Sequence, residues 1–183
     1  MTRRVVREKK SRFFGTKQVL TIMNQPAHSV VHDLDIAPRA GYGFRATDAG
    51  GDNHNSTGNW LTVPFDTEEY DDGVFASNTF TVPQGMPGLW HLEARLEFAG
   101  DATSTGRREI RFRKNGATTI DNHVQGTPGT TAVSLSMSTI VKLAGNDTVI
   151  LEAYQNSGGN LNYNGTASDI RRFAAAYFGP RPS

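Results

Sequence analysis

The sequence predicts an all-β sandwich, and three observations carry that prediction. From Trp90 to Phe98 apolar and polar residues alternate without a slip: Trp90, Leu92, Ala94, Leu96 and Phe98 on one side, His91, Glu93, Arg95 and Glu97 on the other. A period of two over that length is a strand with one buried and one wet face. Val133, Leu135, Met137, Thr139, Val141 and Leu143 alternate in the same way with Ser134, Ser136, Ser138 and Lys142. Glycine-rich turns separate the apolar runs and no segment carries a convincing helical stripe, which leaves a sandwich, a jelly roll or a barrel.

The elements divide into an arm and a body. Residues 1 to about 40 read as an extended N-terminal arm, and residues 41–183 as the β domain. Met1 to Arg12 hold Arg3, Arg4, Arg7, Lys9, Lys10 and Arg12 against Glu8 alone, a net of +5. Phe13 and Phe14 follow, then the strand-like Gln18–Met23 with Val19, Leu20 and Ile22, and Pro26 and Pro38 punctuate the rest. Such a segment is expected to order against a partner.

In the body, the candidate strands are Tyr42–Thr47, Trp60–Phe65, Gly73–Ala76, Thr79–Val82 and Leu89–Phe98. Arg107–Arg113, Ala117–Asp121, Thr131–Leu143, Asp147–Gln155 and Ile170–Phe178 complete the set. Pro87-Gly88 launches the central strand. Lys114-Asn115-Gly116 predicts a hairpin, because Asn-Gly readily adopts the positive φ angles of a type I′ turn. Ala49–Gly58, Gly100–Gly106 and Asn156–Asn160 read as loops.

Composition narrows the function. The 183 residues suffice for one domain with a core plus an appendage. Hydrophobic residues are 37% and mean hydropathy is −0.47. No apolar run approaches the ~20 residues of a membrane span. No apolar stretch of signal-peptide length follows the charged start, so no secretory signal is expected. The absence of cysteine excludes disulfides, thiolate metal sites and a cysteine nucleophile, and fits production in a reducing cytosol. The formal net charge of +1 conceals the basic arm, since the remaining chain has 13 basic and 17 acidic residues, a net of −4. Asn-x-Ser/Thr triplets at Asn55, Asn146 and Asn164 read as turn chemistry.

The order of several short motifs resembles the globular head of complement C1q. They are Phe65-Asp66, Tyr70-Asp71, Phe80-Thr-Val-Pro83, Pro87-Gly-Leu-Trp90, Phe112-Arg-Lys-Asn-Gly116, Ser134–Leu143, Gly145-Asn-Asp-Thr-Val149 and Phe173–Phe178. The family usually reads Gly-Asp-x-Val where this chain has Gly145-Asn146-Asp147, so Asn146 looks like a one-residue insertion. The match covers roughly residues 60–178. The resemblance implies a ten-stranded jelly roll of the C1q and tumour-necrosis-factor type, normally a homotrimer. It transmits no ligand. The animal family's collagen stalk, signal and cysteines are missing, and a basic arm stands where the stalk would be. Such jelly rolls also occur in bacteriophage virions as trimeric knobs, fibre heads and capsid decorations, and this chain looks like that version.

Candidate chemistry reduces to binding. His28 and His32 have metal-like spacing only on a helix, and Pro26 with β-branched neighbours argues against one. Asp66, Glu68, Glu69, Asp71 and Asp72 could supply calcium with oxygen ligands, but the loop 66–72 lacks calcium-loop spacing and reads as a solvated acidic loop. No metal or other cofactor is expected. No nucleophile elbow, P-loop or dinucleotide spacing is present, so the chain reads as a non-enzyme. Arg107, Arg108, Arg111, Arg113 and Lys114 read as a basic strand edge, either solvated or a docking surface for an acidic partner. Six cations on the arm could displace counterions from phosphate. No aromatic interleaves them before Phe13, however, so a protein-docking arm is expected rather than nucleic-acid binding.

These readings converge on a structural virion protein, made in the host cytoplasm. The arm residues Arg3, Arg4, Arg7, Lys9, Lys10, Arg12, Phe13, Phe14, Val19, Leu20 and Ile22 would dock on a major capsid protein or another virion protein. Trp90, Leu92, Leu96 and Phe98 would form the core, and Tyr154, Tyr163, Tyr177 and Phe178 would supply surplus apolar surface for a threefold axis. The competing readings are a tail-fibre receptor-binding head recognising host surface carbohydrate or protein through the Ala49–Gly58 and Asn156–Asn164 loops, and a cytokine-like or bacterial adhesion module.

Overall fold

The computed structural model describes residues 42–48, 50, 52–54, 58–100, 105–127, 131–164 and 171–180. The arm, and with it every docking residue expected on it, lies outside the described residues, as do His28 and His32. Within them, ten strands of three or more residues and three two-residue strands build two antiparallel sheets and a small ribbon.

One sheet has the order β10-β7-β13-β1-β4. Its strands are β1 (Gly43–Thr47), β4 (Thr67–Asp71), β7 (Gly88–Phe98), β10 (Val133–Leu143) and β13 (Arg172–Gly179). The other follows β5-β6-β11-β8-β9, with β3 also paired to β11. Its strands are β3 (Trp60–Thr62), β5 (Phe75–Ala76), β6 (Thr79–Thr81), β8 (Gly106–Lys114), β9 (Thr118–Thr127) and β11 (Thr148–Gln155). β2 (Asn53–His54) and β12 (Leu161–Asn162) form the ribbon. This is a jelly-roll sandwich, one of the architectures the alternation leaves open and the one the C1q resemblance implies.

The two alternating runs lie side by side. β10 pairs β7 without a slip from Val133↔Phe98 to Leu143↔Gly88. With β13 on its other side, β7 is an interior strand, and Trp90, Leu92, Ala94, Leu96 and Phe98 are fully buried. The indole fits an apolar wall because its one polar atom is satisfied: Nε1 donates to the Met86 carbonyl at 3.2 Å. Phe80 and Tyr177 meet it at 4.9 and 5.0 Å between ring centres. Phe44 stacks on Phe75 at 4.3 Å and receives Phe173 edge-on at 4.9 Å.

Turn chemistry sets the hairpins. Asn115 and Gly116 both have positive φ, 50° and 64°, as the β8–β9 turn requires. A second left-handed pair, Ser77 and Asn78, joins β5 to β6. There Asn78 offsets its strained backbone by accepting the Phe65 N–H at 2.8 Å.

Three expectations need correction. The acidic segment 66–72 is not a loop: Thr67–Asp71 form β4, the outermost strand of its sheet, paired to β1. Its alternation is illegible because most of it faces water on both sides. The Arg107–Lys114 run is not an edge, since β8 lies between β11 and β9. Arg108 points inward and is almost fully buried, with its guanidinium 6.0 Å from the Phe98 ring centre. β9 runs on to Thr127, beyond the expected Asp121, because pairing with β8 and not a hydrophobic face defines this outer strand.

Candidate functional site

Of the residues expected to meet a second copy, only some remain available. Tyr163 and Tyr177 are already buried within the chain, at 2% and 6% exposure. Burial pushes the Tyr163 hydroxyl's pKa up strongly. Tyr154 is half-buried on the outer face of the six-stranded sheet. Phe178 is 65% exposed. It sits where β13 shifts register against β7 between Tyr177 and Gly179, and such a bulge re-aims a side chain.

Phe178 belongs to an apolar strip on the outer face of the five-stranded sheet. His91 of β7 lies opposite Ile140 on β10 and Ala176 on β13. The Phe178 ring meets the imidazole edge-on at 6.0 Å. Ile140 is 59% exposed, and Tyr70 on β4 is 47% exposed. Between them the sheet carries Ala174 and Ala176, beside Glu93 and Arg45. Small residues let a second surface approach closely. Two of the nearby charge pairs are closed, Arg172 on Glu93 and Arg45 at 3.1 Å from Glu69, while Lys142 lies two residues beyond Ile140 on β10. Phe178, Ile140 and Tyr70 are thus large apolar side chains left in contact with solvent on one face of the sheet.

Ile140 could have been found in the sequence. It stands in the polar frame of β10, after Ser134, Ser136 and Ser138, where a polar residue is expected. Phe178 likewise falls in the outward frame of β13, after Ala174 and Ala176, but the register shift beside it has no such signal.

The outer face of the six-stranded sheet is different. Arg111 lies 3.8 Å over the Trp60 ring and bonds Glu152 at 2.6 Å. Arg107 lies 4.8 Å over Tyr154 and 3.2 Å from Glu109. Trp60 and Tyr154 are 5.4 Å apart. The basic run is thus stacked on aromatics and largely neutralised from within.

A third cluster lies where the chain leaves β1. Arg171, fully buried, bonds Asp48 at 2.5 Å and Asp52 at 2.9 Å, and donates to the Gly50 carbonyl at 2.6 Å. Burial raises the Asp48 pKa, against the lowering effect of the Gly50 N–H and the Arg171 guanidinium. Among the described residues, no three His, Asp or Glu side chains converge to hold a metal. Four of the five acidic residues at 66–72 are engaged separately, Glu69 by Arg45. Asp71 accepts the Val74 and Phe75 N–H groups, Asp72 accepts that of Gly43, and Asp66 accepts the Thr67 hydroxyl.

The comparisons agree with this geometry at the level of fold. No family model matches the sequence, and no curated protein matches it. Among solved structures the chain is similar to the globular domain of the zebrafish complement 1qA protein. That match has a TM-score of 0.56 and 14% identity, and covers 76% of this chain and 99% of that one. The likeness establishes a C1q-like fold.

Proposed function

We propose that this chain is a non-enzymatic structural protein of a bacteriophage virion, a homotrimeric capsid decoration or knob anchored by its N-terminal arm. The observation that carries self-association is the apolar strip Ile140–His91–Ala176–Phe178 on the outer face of the five-stranded sheet. A threefold arrangement of C1q-like bodies would bury it. The basic arm supports anchoring: its charge of +5 would steer it to an acidic surface on the capsid protein or another virion protein. Its apolar Val19–Met23 run would then add to a partner's sheet edge. The test is incorporation. Particles assembled with the full chain should carry it, and particles offered a chain without residues 1–40 should not. Equal incorporation of both would remove the arm from the account.

One observation favours a second reading, a tail-fibre receptor-binding head. Trp60 and Tyr154 lie at the end of the six-stranded sheet where Gly58 bonds Gln155 and Asn156 bonds Arg107. Aromatic rings beside loops suit a host surface carbohydrate. Binding of host cells by the purified protein, lost in Trp60→Ala, would favour this reading.

A further inference from the structure

We propose that His91 makes association through the five-stranded sheet pH-sensitive, the contact forming while the imidazole is neutral and opening when it is charged. This deepens the assembly reading above and rests on it. His91 sits inside the apolar strip, with Ile140 across on β10, Ala176 across on β13 and Phe178 edge-on at 6.0 Å. A second copy that covers Phe178 and Ile140 covers His91 with them.

Among the described residues, the charged groups on the strands around His91 are bonded elsewhere or carry the same sign as a protonated ring. Glu93, the next outward residue of β7, is bound by Arg172 of β13. On β10 the nearest ionisable group is Lys142, two residues beyond Ile140 and of the same sign as a charged imidazole. The outward residues of β13 beside it, Ala174, Ala176 and Phe178, do not ionise. On β1 the residue at this level is Gly43, whose N–H is taken by the Asp72 carboxylate at 2.8 Å. A charge in that setting is tolerated while water reaches it and is costly once a second copy excludes water. Histidine is the side chain whose charge ordinarily changes between about pH 5 and 8.

Sedimentation velocity of the full chain at about pH 7.5 and about pH 5.5 tests the gate, with circular dichroism reporting the fold at both values. The wild type should associate at the higher pH, and its dissociation constant should rise on the order of tenfold or more at the lower. His91→Phe should associate at both values and His91→Lys at neither. His91→Gln serves as the neutral variant if His91→Phe does not fold. Wild type that stays associated in acid overturns the gate alone, as does a neutral variant that dissociates in acid as wild type does. A wild type that is monomeric at both values overturns the assembly reading and the gate with it.

Discussion

Arg171 and Asp48 form an ion pair sealed from solvent, Nη2 to Oδ1 at 2.5 Å, with the guanidinium fully buried and the carboxylate 3% exposed. It ties the residue that follows β1 to the residue that precedes β13, and Asp52 and the Gly50 carbonyl complete the guanidinium's partners. A buried pair of this kind adds little net stability, because desolvation offsets attraction, but breaking it strands a charge. Arg171→Leu should therefore cost about 3–5 kcal/mol in urea denaturation, and Arg171→Leu with Asp48→Leu should cost less than Arg171→Leu alone. Additive losses would mean that the two side chains act independently.

Trp90 is the largest side chain in the core and contacts Phe80 and Tyr177 while donating to Met86. Trp90→Ala should lower stability by about 3–5 kcal/mol, a large part of the roughly 5–15 kcal/mol typical of a domain. An unchanged urea midpoint would contradict the packing described.

Gly43 is required by close approach. A Cβ there would lie 1.9 Å from the Ala175 carbonyl oxygen of the paired strand. Gly43→Ala should force β1 away from β13 and cost about 1–3 kcal/mol or more. Gly116→Ala meets no neighbour but must keep φ at 64°, so its cost should come from turn strain alone.

Glu97 links three segments: it accepts the Ser134 hydroxyl on β10 and the Asn164 amide at 2.7 Å. Those two bonds, Ser134 first, hold its pKa below the ordinary 4.5. Since the folded value is the lower one, the stabilisation is present above 4.5 and is lost as pH falls through the folded value. Glu97→Gln should flatten the thermal stability profile in that acid window and leave its shape near neutrality unchanged.

The legible part of the fold was the part with two unlike faces. β7 and β10 are buried on alternate residues, so their period shows in the sequence and their pairing follows it. β4 and the second half of β9 are outer strands with few buried residues, so no period marks them and their existence depends on a neighbour. The candidate site divides in the same way. Ile140 is visible as a misplaced apolar residue among serines. Phe178 alternates into the expected polar frame, and only a register shift that no local pattern encodes explains how far it stands out. Arg108 adjoins basic neighbours in the sequence, but the strand period places it inward, on the side of Ile110 and Phe112. The Arg171–Asp48 pair is distant in sequence and exists only once β1 and β13 are adjacent.

The proposed assembly joins bodies of this chain through the outer face of the five-stranded sheet. Sedimentation equilibrium of the full chain beside Phe178→Asp with Ile140→Asp tests it most directly. Both side chains are mostly exposed, at 65% and 59%, so the fold should survive the changes. The wild type should show three times the 20.0 kDa chain mass, and the double variant the mass of one chain. A wild type that sediments as one chain, or a double variant that remains trimeric, would contradict it.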